Sequence, residues 1–329
     1  MENHPKVNFG KTGILLVNLG TPDSTSWLDI RRYLKEFLSD KRVIEVNPFI
    51  WKIILNLFIL TFRPAKTAKA YKEIWMQKEN MSPLRYYTEK QAEKLSNLIQ
   101  KDDVFIDYAM RYGNPSIKSK ISNLHEKGCE HLIVLPLYPQ YAAATTATVC
   151  DEVYRTLMNM RWQPSLKIIP HYESEPLYID ALVNSLKIKL SEINWKPDLI
   201  VASYHGIPKK YFDKGDPYHC YCHKTTRLIS EKFKEINIKT TFQSRFGPEE
   251  WLQPYTDKTL ENLPKEGKKN ILVICPGFAS DCVETLEEIS IQGKESFLKA
   301  GGDKFELVPC LNDNQDHIEL LKHLVNKNL

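Results

Sequence analysis

The sequence predicts an α/β chain made of two similar units, each a four-stranded parallel sheet flanked by helices. Three observations predict it. Apolar runs of strand length recur eight times, and they are continuous rather than alternating, as strands buried on both faces are. Amphipathic helical stretches such as NPSIKSKISNLHEKG and TTRLISEKFKEI lie between most of them. Four short signals from the first half also return, in the same order, in the second.

The predicted strands are GILLVNL (13–19), DVFIDYAM (103–110), HLIVLPLY (131–138) and LKIIPHY (166–172), then DLIVASYH (198–205), IKTTFQSRF (238–246), ILVICPGF (271–278) and FELVPCL (305–311). At their exits NLGTP (18–22) matches YHGIP (204–208), and MRYG (110–113) matches SRFG (244–247). PQYAAATTA (139–147) matches PGFASDCVE (276–284), and IIPHY (168–172) matches LVPCL (307–311). The separations are 186, 134, 137 and 139 residues, so the first half carries about 50 extra residues after its first strand. The domains are set at 1–175 and 176–329, with the insertion at about 27–85.

Inside that insertion lies NPFIWKIILNLFILTFRP, residues 47–64. Its apolar run from Phe49 to Phe62 is bounded by Pro48 and Arg63-Pro64. A helix of that length covers about 21 Å, short of the roughly 30 Å of a bilayer core, so it is not read as a membrane span. Two readings stay open: a buried core helix, or an exposed lip that docks on a membrane or takes an apolar ligand. Lys66, Lys69 and Lys72 beyond it suit anionic headgroups.

A chain of 329 residues with 42% hydrophobic and 26% charged residues suits a soluble two-domain protein. A net charge of +4 is too weak to argue for nucleic acid. MENHPKVNFGKTG has no apolar h-region, and seven cysteines without an export signal read as reduced cytosolic thiols. No G-x-G-x-x-G or Walker motif follows a strand.

Ligands of open parallel sheets bind beyond the strands' carboxyl ends. His205 lies at such an end, before a Gly206-Ile207-Pro208 turn that permits close approach of a ligand. In ASDCVETLEEIS (279–290), a helix places Asp281, Glu284 and Glu288 at i, i+3 and i+7 on one face. A capping box of Asp281 and Glu284 explains two of them but leaves Glu288 over. The first half has Ala144 and Ala147 where the second has Asp281 and Glu284, so the acids belong to one copy only. A histidine and a row of carboxylates suit metal delivery with proton removal. HCYCH (219–223) lacks the C-x₂-C spacing of zinc ribbons, although His219 and His223 at i, i+4 leave a weak metal site open.

LIVASYHGIPKKYFDKGDPY resembles the signature of the ferrochelatase family, and NLGTP, RYGNP, LYPQYAAATT, QSRFGPEEWLQP and FASDCVETLEE extend the resemblance over nearly the whole chain. The resemblance implies two Rossmann-like domains of chelatase-like fold with a porphyrin cleft between them, and insertion of Fe²⁺ into protoporphyrin IX at the last step of haem synthesis. It implies His205 and Glu284 as the catalytic pair, and His205, Glu284, Asp281 and Glu288 as the metal path. Leu19, Arg111, Tyr112, Tyr141, Ser203 and Trp251 fall on the cleft positions that contact substrate. Leu19 in place of a Tyr leans toward protoporphyrin over coproporphyrin. Other tetrapyrroles or metals, and a non-catalytic haem-binding protein, are the alternatives, the last opposed by the acids.

Some positions depart from the family pattern. Cys282 stands where a His is common, and Lys72 and Glu73 stand where two arginines occur. Ala143 takes the place of a cluster cysteine and no cysteine follows Cys310, so no tightly bound cofactor and no [2Fe–2S] cluster is expected. The expected partners are protoporphyrin IX, Fe²⁺, a membrane surface met through 47–64 and an upstream haem-pathway oxidase. The expected location is the cytoplasm, with peripheral attachment to the inner face of the cell membrane.

Overall fold

A computed structural model describes residues 10–329, so residues 1–9 of the N-terminal stretch read for a signal lie outside the described residues. Among the described residues eight strands form two separate parallel sheets. The first joins β1 (Lys11–Thr21), β2 (Val104–Gly113), β3 (Cys129–Pro136) and β4 (Ser165–Ile168) in the order β2-β1-β3-β4. The second joins β5 (Leu199–His205), β6 (Ile238–Gln243), β7 (Asn270–Ile274) and β8 (Lys304–Leu307) in the order β6-β5-β7-β8. The same permutation occurs twice, as expected of a duplicated unit. Ile14 to Val17 and Ile200 to Ala202 are fully buried, which is why these strands carry no polar alternation.

Strand register corrects the alignment of the two copies. Asn18 pairs with Met110 as Tyr204 pairs with Phe242, which sets β2 and β6 132 residues apart, where the sequence match had 134. After β3 and β7 the chain enters π-helices at Ala143–Ala147 and Val283–Gly293. Ala142 and Cys282 hold the same place in them, each N–H donating to Thr145 or Thr285 Oγ1 at 3.1 and 3.0 Å. The separation there is 140, so Glu284 stands opposite Ala144, Asp281 opposite Tyr141 and Glu288 opposite Thr148. None of the first-half counterparts is acidic, so the acids remain peculiar to one copy. β4 and β8 stop short of the predicted runs. Ile169 and Val308 still donate to Val134 and Val273, but Pro170 and Pro309 next in line have no N–H to continue the ladder.

One apolar core runs through both halves, joining Ile14, Leu16 and Met110 to Ile200, Ala202 and Tyr204 through the helix Pro176–Glu192. Gln91, from the helix Pro83–Ile99, donates to Ala279 O, Ser280 Oγ and Asn312 O at 3.3, 2.9 and 2.8 Å and ties the halves at the strand exits. Asp216 spans the same seam, accepting from Ala143 N at 2.7 Å and from Tyr218 N at 3.0 Å. DKGDPY is therefore an interdomain cap as well as a turn.

The insertion differs from its expectation. Its helix does not end at Arg63-Pro64 but runs from Pro48 to Ile74, 27 residues or about 40 Å. It passes a π-helical turn at Leu55–Ile59 and then carries Pro64 inside it. Leu60, Pro64, Ala68 and Tyr71 recur along one buried face that packs on Ile30, Tyr33 and Leu34 of the helix Trp27–Leu38. That burial carries the helix through a proline that would otherwise interrupt it. The other face is bare: Phe49 is 74% exposed, Leu57 63% and Phe62 72%. Of the two readings, the exposed lip is the one observed. By length and composition this helix could cross a membrane, yet its C-terminal half is packed along the domain.

Gly20 marks the tightest approach in the first sheet. Its φ is +116°, and a Cβ there would lie 1.8 Å from Tyr112 O. Gly20→Ala is expected to lower stability by about 3 kcal/mol or more, read as a fall in the denaturant midpoint. An unchanged midpoint would contradict this packing.

Candidate active site

β5 delivers its side chains alternately to two faces. Tyr204 faces the helix Tyr218–Lys232, its hydroxyl 3.0 Å from Thr226 Oγ1. Ser203 and His205 face the other way. Ser203 is fully buried and donates to Gln243 Oε1 at 2.6 Å, with Thr256 Oγ1 at 2.9 Å. It is a support inside the sheet rather than a lining group. His205 emerges half-exposed, its Nδ1 2.6 Å from Gly206 O. A carbonyl only accepts, so Nδ1 carries the hydrogen and Nε2 keeps its lone pair for chemistry. The Trp251 ring lies 6.5 Å from the imidazole, and its Nε1 donates to Phe246 O at 2.9 Å. Gly206 is required there: a Cβ would meet Gln243 O at 2.9 Å and Trp251 Cε3 at 3.1 Å.

Gln243, paired with His205 in the ladder, is the hub of the site. It is 3% exposed, and while its Oε1 accepts from Ser203 its Nε2 donates to Glu284 O at 2.8 Å and to Glu288 Oε2 at 3.3 Å. Ser244 follows with φ +66°, a left-handed conformation uncommon outside glycine, and donates its N–H to Glu288 Oε1 at 2.8 Å and its hydroxyl to Oε2. Glu288 is thus held toward His205. Burial pushes its carboxyl above the ordinary carboxylate range, with Glu284 adding repulsion, while the Ser244 bond and His205 pull it down.

Glu284 faces a small pocket of about 10 Å³ shared with Leu19, Gly20, Tyr33, Tyr71, Ile74 and Leu84. The pocket therefore joins the exit of β1, the insertion and the acidic π-helix. Tyr33 and Tyr71 both keep their phenols neutral, because burial and then neighbouring groups, Glu284 among them, raise them. That is room for about one water, far below the ~300–1,000 Å³ of pockets that enclose drug-sized ligands.

Several expected residues lie elsewhere. Asp281 is not on the acidic face. The π-helix begins at Val283, and Asp281 precedes its N-cap, 5% exposed, accepting from Thr285 Oγ1 at 3.0 Å, Cys310 N at 3.3 Å and Asn312 Nδ2 at 2.7 Å. Three donors already occupy it, so it braces the turn, and the single face read from Asp281 to Glu288 shrinks to Glu284 and Glu288. The proposed capping box fails for the same reason, Thr285 taking the place assigned to Glu284. Arg111 and Tyr112 are also withdrawn from the pocket lining. Arg111 pairs with Asp40 at 2.5 Å and donates to Thr148 O at 2.8 Å, and Tyr112 donates to Asp40 at 2.9 Å, all beneath the helix Trp27–Leu38. Tyr141 is half-exposed at the seam, its phenol raised by burial and by Asp216.

Among the described residues no group of three or more His, Cys, Asp or Glu is arranged to hold a metal ion. In HCYCH, Cys222 is buried and Cys220 exposed, so the two thiols face apart; burial lowers both His219 and His223. All seven cysteines are free. Residue reasoning missed Gln243, Ser244, Tyr33 and Tyr71. The QS pair at the end of β6 was a legible signal, since it sits at a strand exit, but nothing local marked the two tyrosines of the insertion.

A family model described as Ferrochelatase matches residues 11–329. The chain is 56% identical to the "Ferrochelatase" of Allorhizobium ampelinum, over 100% of this chain and 96% of that one. It is 51% identical to the "Ferrochelatase" of Francisella tularensis subsp. novicida, over 98% and 97%. Among solved structures it resembles SirB from Bacillus subtilis with Fe³⁺, at TM-score 0.60 and 12% identity over 97% of this chain and 95% of that one. CbiX, described as the terminal enzyme of sirohaem biosynthesis in denitrifying bacteria, matches at TM-score 0.52 and 10% identity over 96% and 99%. These two likenesses concern the fold alone.

Asp281→Ala is expected to destabilise the protein by about 1–3 kcal/mol by stranding buried donors. The check is the thermal midpoint beside iron-insertion kinetics of the surviving folded fraction. A stable variant with abolished turnover would return Asp281 to the chemistry.

Proposed function

This chain belongs to the ferrochelatase family and is a metal chelatase that inserts iron into a porphyrin for haem synthesis; from that premise we propose that its substrate is protoporphyrin IX and that His205, Glu284 and Glu288 perform the insertion. The observation that carries the reading is the electrostatic coupling of His205, at the end of β5, to Glu288, which Gln243 and Ser244 hold in place.

The reaction balances as Fe²⁺ plus a free-base porphyrin giving the iron porphyrin and two protons. His205 Nε2, with its hydrogen committed on Nδ1, takes each of the two pyrrole protons in turn. Glu288, poised above the usual carboxylate range, passes it outward, and Glu284 holds the incoming cation opposite. Leu19 supplies the apolar floor on the other side, from the corresponding position at the end of β1. Since the pocket is small, the ring enters by widening it, with the insertion moving away from the π-helix.

The exposed apolar face of Pro48–Ile74 suits attachment to a membrane surface, where an apolar porphyrin and the oxidase that makes it are at hand. Phe49, Phe58 and Phe62 enter the acyl boundary, and Lys66 and Lys69 meet anionic headgroups.

Anaerobic Fe²⁺ with protoporphyrin IX is expected to give haem, seen as loss of porphyrin fluorescence, and faster than with coproporphyrin. His205→Ala and Glu284→Gln should each lower kcat by at least about 10²-fold while the fold persists, the range general acid–base groups supply. Near-wild-type kcat in either would remove that residue from the mechanism. For the lip, Phe49→Ser/Phe58→Ser/Phe62→Ser should abolish co-sedimentation with vesicles containing anionic lipid yet leave turnover in detergent intact. Undiminished co-sedimentation would refute docking through this helix.

A further inference from the structure

His219 and His223 lie one turn apart in the first turns of the helix Tyr218–Lys232, and their ring centroids are 4.4 Å from each other. Both rings are held by aromatic contacts. His219 stacks on Phe242 at 5.7 Å and 20° and meets Phe212 edge-on at 5.1 Å, and the His223 ring is 6.0 Å from Phe242. Among the described residues neither imidazole hydrogen-bonds to a protein group or pairs with a carboxylate, in contrast with His205, His171 and His317. Two adjacent, ordered imidazoles with all their nitrogens uncommitted form a bidentate donor set.

We propose that His219 and His223 form a divalent-metal site for cations that prefer imidazole, namely Cu²⁺, Ni²⁺ or Zn²⁺, with water completing the coordination. Imidazole suits those three, and Fe²⁺ stands below Ni²⁺ and Cu²⁺ in affinity for a given nitrogen site, so the pair disfavours the metal the enzyme inserts. The site is separate from the iron cleft. Phe242, beneath the histidines, and Gln243, which holds Glu284 and Glu288, are consecutive strand residues and face opposite sides of the second sheet. Cys222 is buried and cannot join it, and Cys220 is displaced from His219 by about 100° around the helix.

The test uses untagged, metal-free, full-length enzyme carrying Cys220→Ser, so that the exposed thiol does not compete. Titration with Cu²⁺ is followed by calorimetry and electron paramagnetic resonance. One equivalent with two-nitrogen hyperfine structure is expected, retained in His205→Ala/Glu284→Gln and lost in His219→Ala/His223→Ala. Each single variant should weaken binding by on the order of 10²–10⁴, because the second nitrogen binds intramolecularly. His223 is exposed, so His223→Ala tests the site while His219 keeps its contacts with Phe242 and Phe212. Iron insertion by the double variant should equal wild type. Equal Cu²⁺ stoichiometry in wild type and double variant, wild-type affinity in a single variant, or loss of iron insertion in the double variant would each overturn the proposal.

Discussion

Parallel strands buried on both faces leave polar chemistry one place to go, the edge where their carboxyl ends emerge. Everything functional here follows from that constraint. The strand interiors, Ile14 to Val17 and Ile200 to Ala202, are wholly buried, and the polar groups that bear on the site, Gln243 and His205, stand at the exits. Because the strands run the same way and each sheet repeats the same order, both copies bring equivalent positions to equivalent exits.

The copies then diverge by single side chains. Register sets Leu19 of β1 in the place of His205 of β5, so one half offers an apolar surface where the other offers a base. Glu284 and Glu288 stand where the first half has Ala144 and Thr148. Gln243 organises the acidic side: one buried amide accepts from Ser203 and donates to both the backbone and the carboxylate of the acidic helix. A buried amide with each partner in place rigidifies what it touches. Its counterpart, Arg111, is instead spent on Asp40 beneath the insertion, and that half is structural.

The insertion supplies what the duplicated core lacks. Its buried stripe brings Tyr33 and Tyr71 to the pocket, closing one side with neutral phenols, while its other face leaves Phe49 and Phe62 in solvent. One helix therefore serves the cleft and presents a row of exposed apolar side chains. Stability alone does not call for such exposure, since burying those rings would be favourable.

The strand runs, their helical connections, the duplication and His205 were all legible in the sequence, because continuous apolar runs and a His-Gly-x-Pro turn at a strand exit are local patterns. The family resemblance was legible for the same reason. Alignment of the copies by short motifs slipped by two or three residues, since strand register is set by pairing between segments far apart in the chain. Asp281 was misplaced because a helix drawn on paper has no cap, whereas the real one begins after Cys282 and leaves Asp281 to three donors from elsewhere. Pro64 was taken as a stop because its missing N–H is a local fact, while the burial that outweighs it comes from another helix. Sequence by itself determined which residues could do chemistry and which strand exits they occupy. Only the tertiary structure decided which of them remain uncommitted, because a side chain's availability depends on the partners that distant segments bring to it.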